Sequence, residues 1–282
     1  MTSSAPSAGD AVAGEPYARE SAVAASAARA AGRAVLRWYG RATEMVKEGG
    51  SPVSEADHAA NGALLAALQE HFPQDAVLSE ESRDRPERLA AERVWIVDPL
   101  DGTREFLSGI AEFSVMIALA VSGRPVLGVV YEPVSGRMFR AQRGRGAWLE
   151  EDGAVRRLRP PPAQRPPRLV GSRSHADPLV ARIRDALGIT DEQPSGSVGV
   201  KCARIALGER DLYVHPVPYL KEWDTCAPEV ILQEAGGTVT DCRGRPLEYN
   251  KPHPVQPDGI LAAAPGTDAS ILEMVRRIYA ER

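Results

Sequence analysis

The sequence of 282 residues contains little of what defines several large classes of protein. Its only cysteines, Cys202, Cys226 and Cys242, are odd in number and lack a C-x-x-C spacing, which indicates neither a disulfide framework nor a zinc knuckle. The net charge of -4 provides no basic surface for nucleic acid, and no stretch approaches eighteen apolar residues. These absences predict a cytoplasmic protein that binds neither a nucleic-acid polymer nor a membrane.

Chain length and proline distribution predict two coupled halves behind a tail. A chain of this size lies near the limit at which one hydrophobic core becomes two. Residues 1–15, rich in Ala, Ser and Gly, are expected to form a disordered tail. Five prolines within residues 159–168 mark the boundary between an N-terminal half, residues 16–160, and a C-terminal half, residues 168–282.

Hydrophobic periodicity predicts an α+β first half and an α/β second half. The first half is expected to contain helices over 17–39 and from Asp57 onward, and strands at 76–78, 94–98, 114–121, 126–132, 136–142 and 144–149, the later ones forming an antiparallel meander. The second half is expected to contain strands at 169–172, 212–214, 238–240 and 259–264 and helices at 177–187, 199–208, 225–235 and 269–279.

The run from 94 to 106 combines an apolar strand with a charged turn. The β-branched residues stop at Asp98, and Pro99 has no N–H to donate to a neighbouring strand. A second carboxylate, Asp101, precedes Gly102-Thr103, where a short helix is predicted to start. Carboxylates beside the positive end of a helix are stabilised when cations lie between them and a bound anion. A phosphate held by metal ions would satisfy every group in this turn.

Four acidic residues stand at the ends of predicted elements, namely Glu80, Asp98, Asp101 and Asp224, the last just before the helix at 225–235. All four offer oxygen ligands, and no His or Cys cluster has metal-ligand spacing, which favours Mg²⁺ over zinc. Two or more such ions could bridge a phosphate and lower the pKa of a bound water. The sequence therefore predicts metal-dependent hydrolysis of a small-molecule phosphate ester.

Asp57 and Thr103 are candidates for activating that water. The Thr103 hydroxyl would contact the water, and Asp57 would orient or deprotonate it. A simpler interpretation makes Asp57 a helix N-cap or first-turn carboxylate. Asp224 likewise has a simpler interpretation as an N-cap, with Trp223 serving only for packing.

The segment 98–103 also suggests a different phosphatase chemistry. D-x-D-G-T is the signature of the haloacid-dehalogenase superfamily, whose first aspartate becomes phosphorylated. Here Pro99 occupies that position and Asp98 lies one residue too far upstream. The spacing disfavours a covalent aspartyl-phosphate and leaves water as the nucleophile.

Several spaced motifs together resemble the inositol monophosphatase superfamily of Mg²⁺-dependent, lithium-sensitive phosphatases. The motifs are PVSEAD at 52–57, LSEES at 78–82, WIVDPLDGT at 95–103, WDTCAPE at 223–229 and EAGG at 234–237. Within the superfamily, EWDTCAPE at 222–229 and GSRSH at 171–175 are more similar to 3'(2'),5'-bisphosphate nucleotidases of the CysQ type, which remove a phosphate from adenosine 3',5'-bisphosphate. The resemblance implies an α+β fold, a layered αβαβα sandwich with the active site between the two halves.

The resemblance also implies roles for individual residues. Two or three Mg²⁺ ions would be held by Glu80, Asp98, the Leu100 carbonyl, Asp101 and Asp224. Gly102 and Thr103 would receive the phosphate, and Asp57 with Thr103 would activate water. The nucleoside and its other phosphate would face Ser172, His175, Ser197 and Lys201. His175 also has a simpler interpretation as a surface or structural residue.

Two departures and two alternatives stay open. Gly49 stands where the family often has an aspartate, and Ser54 stands where it has a threonine. The missing acid leaves open the occupancy of a third metal and the strength of lithium inhibition. The enzyme could instead be an inositol or sugar monophosphatase, or a catalytically inactive regulator that binds phosphate or metal. The presence of every expected carboxylate argues against an inactive regulator. Either a monomer or a homodimer is compatible with the family.

Overall fold

The computed structural model describes residues 16–42, 45–46, 52–174 and 177–282. Within these ranges the helices are α1 (Ala18–Leu36), α2 (Glu55–His71), α3 (Thr103–Leu107), α4 (Pro178–Ala186), α5 (Val198–Ala206), α6 (Glu222–Glu234) and α7 (Ala269–Ala280), with a 3-10 helix at Pro86–Ala90. The strands are β1 (Met45–Val46), β2 (Pro52–Val53), β3 (Ala76–Ser79), β4 (Arg93–Asp101), β5 (Ser114–Val121), β6 (Arg124–Tyr131), β7 (Met138–Gln142), β8 (Gly146–Glu151), β9 (Ala154–Arg157), β10 (Leu169–Ser172), β11 (Glu192–Ser195), β12 (Leu212–His215), β13 (Thr238–Thr240) and β14 (Ile260–Ala263). The tail predicted for residues 1–15 lies outside the described residues.

The strands form two large sheets and a small pair. The N-terminal sheet has the order β3-β4-β5-β6-β7-β8-β9 and is antiparallel except for the parallel pair β3 and β4. The C-terminal sheet has the order β11-β10-β12-β14-β13, in which β14 runs antiparallel to both neighbours. The predicted meander is therefore confirmed. The proline-rich segment 159–168 connects the two sheets, and the exact division into halves stays a prediction.

Five layers result from the burial of both faces of each sheet. Along β4, Trp95 and Val97 pack with α1 and α2, whereas Val94 and Ile96 face the middle layer of α5 and α6. The outer face of the C-terminal sheet packs against α4 and α7. This arrangement confirms the expected α+β, αβαβα sandwich. None of the described helices combines the length and hydropathy needed to span a bilayer.

The end of β4 differs from the predicted strand, and the difference places two carboxylates together. The strand was expected to stop at Asp98 but continues to Asp101, with a register shift between these residues. Asp98 pairs with Met116 and Asp101 pairs with Ser114, so the shift inserts one extra residue. Residues three apart in a regular strand point to opposite faces, and the extra residue restores both carboxylates to one face.

The start of α6 also differs from the prediction. The helix was expected from residue 225, with Asp224 just before it, but it begins at Glu222. Asp224 therefore lies in the first turn, where it accepts the Lys221 N–H, rather than acting as the N-cap. Trp223 packs against the core, as the simpler interpretation proposed. Short polar elements such as β9, β11 and the 3-10 helix were not predicted because they lack a hydrophobic period.

Candidate active site

A cleft of about 260 Å³ opens where the two sheets approach each other. Residues from both sides of the proline-rich segment surround it. They are Glu80, Asp101, Gly102, Thr103, Arg104 and Glu105 from the first part of the chain and Ser172, Ser174, Gly196, Ser197, Val198, Lys201, Tyr213, His215, Tyr219, Leu220 and Asp224 from the second.

Three carboxylates meet at the base of this cleft. Asp98, Asp101 and Asp224 each place one oxygen within 4.8 Å of the others. Burial raises the pKa of all three carboxyls, and the charge of Glu80 raises each pKa further. The charge of Asp101 adds to the rise at Asp98 and Asp224. The pKa of Asp101 itself is lowered in part by its hydrogen bonds from Ser197 and Gly199 and by the charge of Lys201. A cation among these oxygens would remove the repulsion, and hard carboxylate oxygens suit Mg²⁺.

Backbone amides hold two of these carboxylates in place. Asp98 Oδ1 accepts the Leu100 N–H at 3.0 Å, and Asp224 Oδ2 accepts the Lys221 N–H at 2.5 Å. Each of these hydrogen bonds occupies a single oxygen of its carboxylate. These contacts fix the orientation of both carboxylates in the cluster.

Asp101 is held by the opposite side of the cleft. Its Oδ2 accepts the Ser197 hydroxyl at 2.5 Å and the Gly199 N–H at 2.8 Å, so it caps the start of α5. Ser114, which pairs with Asp101 on the neighbouring strand β5, places its hydroxyl oxygen 3.0 Å from the same Ser197 hydroxyl. Ser197 has a φ of 43°, an unusual conformation for a side-chain-bearing residue, and this conformation is compatible with these contacts. The predicted substrate contact of Ser197 stays a prediction, and the structure shows its hydroxyl directed at Asp101.

Glu80 and the Leu100 carbonyl complete the predicted set of metal ligands. Glu80 lines the cleft, and its N–H donates to the Val97 carbonyl at 3.3 Å, which places it beside β4. The Leu100 carbonyl lies 3.1 Å from the Thr103 hydroxyl. The arrangement is compatible with both groups as ligands, and their roles stay predictions.

Asp57 is a first-turn carboxylate of α2, as the simpler interpretation predicted, and it also faces Thr103. Its Oδ2 accepts both the N–H and the hydroxyl of Ser54, at 2.8 and 2.7 Å, in a capping box at the start of α2. Its Oδ1 lies 3.1 Å from the Thr103 hydroxyl. Burial raises the pKa of Asp57, although these hydrogen bonds lower it in part. The two interpretations of Asp57 are therefore compatible, because each uses a different oxygen.

The predicted substrate residues differ in how far they are exposed to the cleft. Lys201 is only 4% exposed, and its Nζ donates to the Gly196 carbonyl at 2.9 Å while lying 5.2 Å from the centre of the Tyr213 ring. Burial lowers its pKa. Ser172 is half-buried at the edge of the cleft. His175 and Gly49 lie outside the described residues.

The structure adds cleft residues that the sequence did not reveal. Tyr219, on the loop from β12 to α6, borders the cleft with 71% of its surface exposed. Glu105 accepts the Ser174 hydroxyl at 2.7 Å across the cleft. Tyr219 belongs to no spacing motif, whereas Ser174 lies within the GSRSH motif at 171–175. The proximity of Tyr219 to Asp224 in the sequence was the available signal.

Comparisons with known proteins agree with this geometry. A model of the inositol monophosphatase family matches residues 18–279. The chain belongs to the inositol monophosphatase family. Its resemblance to that family is thereby confirmed, and the protein is an enzyme that hydrolyses phosphoric monoesters.

Relatives within the family carry different names. The chain is 41% identical to 3'(2'),5'-bisphosphate nucleotidase CysQ of Escherichia coli O157:H7 over 228 residues, 79% of this chain and 90% of the relative. It is 30% identical to Nus factor SuhB of Pasteurella multocida over 268 residues, 90% of this chain and 94% of the relative. The crystal structure of CysQ from Bacteroides thetaiotaomicron superposes with a TM-score of 0.75 and 31% identity, covering 89% of this chain and 98% of that one.

The first prediction concerns the expected role of Asp224 as a metal ligand. Asp224→Asn removes one charge and one of the predicted metal ligands while retaining an acceptor for the Lys221 N–H. We expect Mg²⁺-dependent phosphate release to fall by about 100-fold or more, because loss of a direct ligand should cost at least as much as loss of an outer-shell contact. Undiminished turnover would show that Asp224 is not a metal ligand.

The same variant is expected to stabilise the metal-free protein at pH 8. The cluster's raised pKa values mean that the folded state retains protons which the unfolded chain releases above its ordinary carboxyl pKa of 3.8. The contribution of these protons to the free energy of unfolding is fully present below pH 3.8. It is lost as the pH rises through the raised pKa values of the folded state. Thermal unfolding with a chelator should therefore show a higher Tm for Asp224→Asn at pH 8. Asp211→Asn is the control and should lower Tm, because the Arg168 hydrogen bonds hold the pKa of Asp211 below its usual range.

The second prediction separates the two functions of Asp57. Asp57→Asn cannot accept a proton, so kcat at saturating Mg²⁺ should fall by roughly 10²–10⁴-fold. Ser54→Ala removes the cap hydroxyl, and it should reduce Tm with a much smaller effect on kcat. Steady-state kinetics and thermal unfolding of both variants check this expectation. Equal kcat losses in the two variants would contradict it.

Proposed function

We propose that this phosphatase is a 3'(2'),5'-bisphosphate nucleotidase, which converts adenosine 3',5'-bisphosphate to AMP and phosphate. The main support is the cluster of Asp98, Asp101 and Asp224 at the base of a cleft bordered by a lysine and an exposed tyrosine. The cluster suits a metal-bound phosphate, and the upper cleft offers a charge and an aromatic ring to the rest of a nucleotide. The 41% identity to a CysQ nucleotidase supports the same substrate class.

The donor set fits two or three Mg²⁺ ions. The proposed ligands are Glu80, Asp98, the Leu100 carbonyl, Asp101 and Asp224. Bound Mg²⁺ would neutralise charge on the phosphate and lower the pKa of a coordinated water.

The side chains around the phosphate supply proton transfer and orientation. Thr103 accepts a proton from the attacking water while its own hydroxyl proton passes to Asp57 Oδ1, 3.1 Å away. The new P–O bond forms in line with the breaking ester bond, whose oxygen leaves with a proton from solvent. Gly102 and Thr103 hold the phosphate at the start of α3. A Cβ atom at position 102 would lie only 2.8 Å from the Glu112 carbonyl oxygen. Only glycine therefore allows the two backbone segments to approach this closely.

Residues above the phosphate select the substrate. Lys201 supplies a positive charge for the second phosphate, and Ser172 and Ser197 border the sugar. Tyr219 offers a ring on which the base stacks. His175 stays a proposed contact of the nucleoside, although its position lies outside the described residues.

Three further properties belong to this proposal. The enzyme is expected to be cytoplasmic, to act in sulfur assimilation and to function as a monomer or homodimer. Lithium is expected to inhibit it by competing at the metal site. With Gly49 in place of the family's aspartate, the strength of that inhibition and the occupancy of a third ion stay open.

An inositol or sugar monophosphatase is the second candidate function. An inositol monophosphatase from Zymomonas mobilis supports it, with a TM-score of 0.74 and 27% identity, covering 94% of this chain and 99% of that one.

A substrate panel decides between the two functions. We expect the highest kcat/KM for adenosine 3',5'-bisphosphate among that compound, inositol 1-phosphate, fructose 1,6-bisphosphate and histidinol phosphate. Phosphate release with Mg²⁺ measures each substrate. If inositol 1-phosphate had the highest kcat/KM, the nucleotidase proposal would be wrong.

Tyr219→Ala tests the proposed stacking. Loss of one base–aromatic contact of about 1–3 kcal/mol should raise KM for adenosine 3',5'-bisphosphate about five- to hundredfold. KM for inositol 1-phosphate, which has no base, should not change, and Tyr219→Phe should resemble the wild type. Trp148→Ala, which removes a 38% exposed ring from β8, is the control. A parallel rise in KM for both substrates would rule out stacking.

A further inference from the structure

Arg88 is a buried arginine outside the cleft. It lies in the 3-10 helix between β3 and β4, and only 2% of its surface is exposed. Its guanidinium contacts both oxygens of Asp84, at 2.6 and 2.8 Å, and donates to Asn250 Oδ1 at 2.8 Å and the Lys251 carbonyl at 2.9 Å. Asn250 Nδ2 donates back to the Arg88 carbonyl at 2.9 Å. Burial of a charged group is tolerated only with such extensive pairing.

The same two loop residues are held from the other side by α6. Glu222, the first residue of this helix, is fully buried. Its carboxylate accepts the Asn250 N–H at 2.6 Å and the Lys251 N–H at 2.9 Å. The dipeptide 250–251 therefore lies between Arg88 and the start of α6.

The loop that contains this dipeptide is also attached to α6 independently of Arg88. The Tyr249 hydroxyl donates to Glu229 Oε2 at 2.5 Å and lies 3.2 Å from the Thr225 hydroxyl. Gln256 Nε2 donates to the same Thr225 hydroxyl at 3.3 Å. Removal of the Arg88 contacts would leave the loop on the helix. Such a removal would instead break the hydrogen bonds that join this loop, and with it α6, to the segment between β3 and β4.

We propose that Arg88 and Asn250 are positioning residues that align the start of α6 with the connection from β3 to β4. That connection contains Glu80, and Asp224 follows Glu222 by two residues. The clamp, defined as Arg88, Asn250 and Glu222, therefore sets the separation of two carboxylates that the proposed function assigns to Mg²⁺. The inference rests on that proposed function.

Metal geometry explains why such a clamp matters. Mg²⁺ requires a nearly ideal octahedron of oxygens, so small displacements of a ligand weaken binding. The apolar face of α6 packs against the N-terminal sheet, and apolar contacts are non-directional. The directional hydrogen bonds of the clamp define the position of the helix along the sheet. Loss of an outer contact of this kind reduces metal affinity by about 10–100-fold in other metal sites.

Asn250→Gly provides the direct test. Asn250 has a φ of 59°, which glycine adopts without strain, and its backbone N–H to Glu222 is retained. The substitution deletes both side-chain hydrogen bonds to Arg88. We expect Mg²⁺ binding measured by calorimetry without substrate to weaken by about 10–100-fold. The Mg²⁺ concentration for half-maximal activity should rise in parallel, while kcat at saturating Mg²⁺ returns toward the wild-type value.

A matched control distinguishes positioning from general stability. Arg168 makes a comparable forked contact with buried Asp211, at 2.8 and 3.0 Å, and donates to the Gly208 carbonyl at 2.8 Å. Arg168→Met should lower Tm with unchanged Mg²⁺ affinity. Arg88→Lys, which retains the charge without the fork, should weaken Mg²⁺ binding in the same direction as Asn250→Gly and serves if that variant folds poorly.

The outcomes separate this inference from the proposed function. If the wild type binds Mg²⁺ and hydrolyses the bisphosphate but Asn250→Gly and Arg88→Lys bind Mg²⁺ equally well, the clamp is structural only and the inference is wrong. If the wild type binds no Mg²⁺, the proposed function and the inference both fail. A selective loss of Mg²⁺ affinity in the clamp variants supports the inference.

Discussion

Repulsion among three closely spaced carboxylates, two of them buried and one half-buried, is the constraint on which the site depends. Asp98, Asp101 and Asp224 place oxygens within 4.8 Å of one another, where burial and like charge both raise their pKa values. Such a cluster is unfavourable in a metal-free protein at neutral pH, so surrounding structure must hold it together. The bulge in β4, the capped start of α5 and the first turn of α6 each supply part of that restraint.

The two sheets are joined on both sides of this cluster. On one side Asp101 binds the start of α5, and Glu112 accepts a forked pair of hydrogen bonds from Arg173 and one from the Gly196 N–H, all at 2.9 Å. On the other side Arg88 reaches the loop that encloses the start of α6. A cleft fixed along both edges can combine ligands from distant parts of the chain with the precision that Mg²⁺ requires.

In the proposed function, substrate choice depends on a different part of the cleft from catalysis. The carboxylates and the Asp57–Thr103 pair suit any phosphate monoester, which agrees with a family whose members carry several names. Lys201, Tyr219 and Ser172 line the same cleft as these carboxylates. Substitutions at these residues can change the substrate while the reaction remains hydrolysis of a phosphate monoester.

The sequence alone indicated the family and the candidate acidic residues, because the spacing of motifs such as D-P-L-D-G-T is a local property. Strand and helix periods, also local, predicted most of the elements, and the resemblance to the family implied the layered fold. Local patterns did not reveal the bulge that turns Asp98 and Asp101 to one face, nor the early start of α6 that puts Asp224 in its first turn. They also missed Tyr219 at the cleft and the pairing of Arg88 with Asn250, 162 residues away. These features depend on register and on contacts between distant segments, which only the tertiary structure decides.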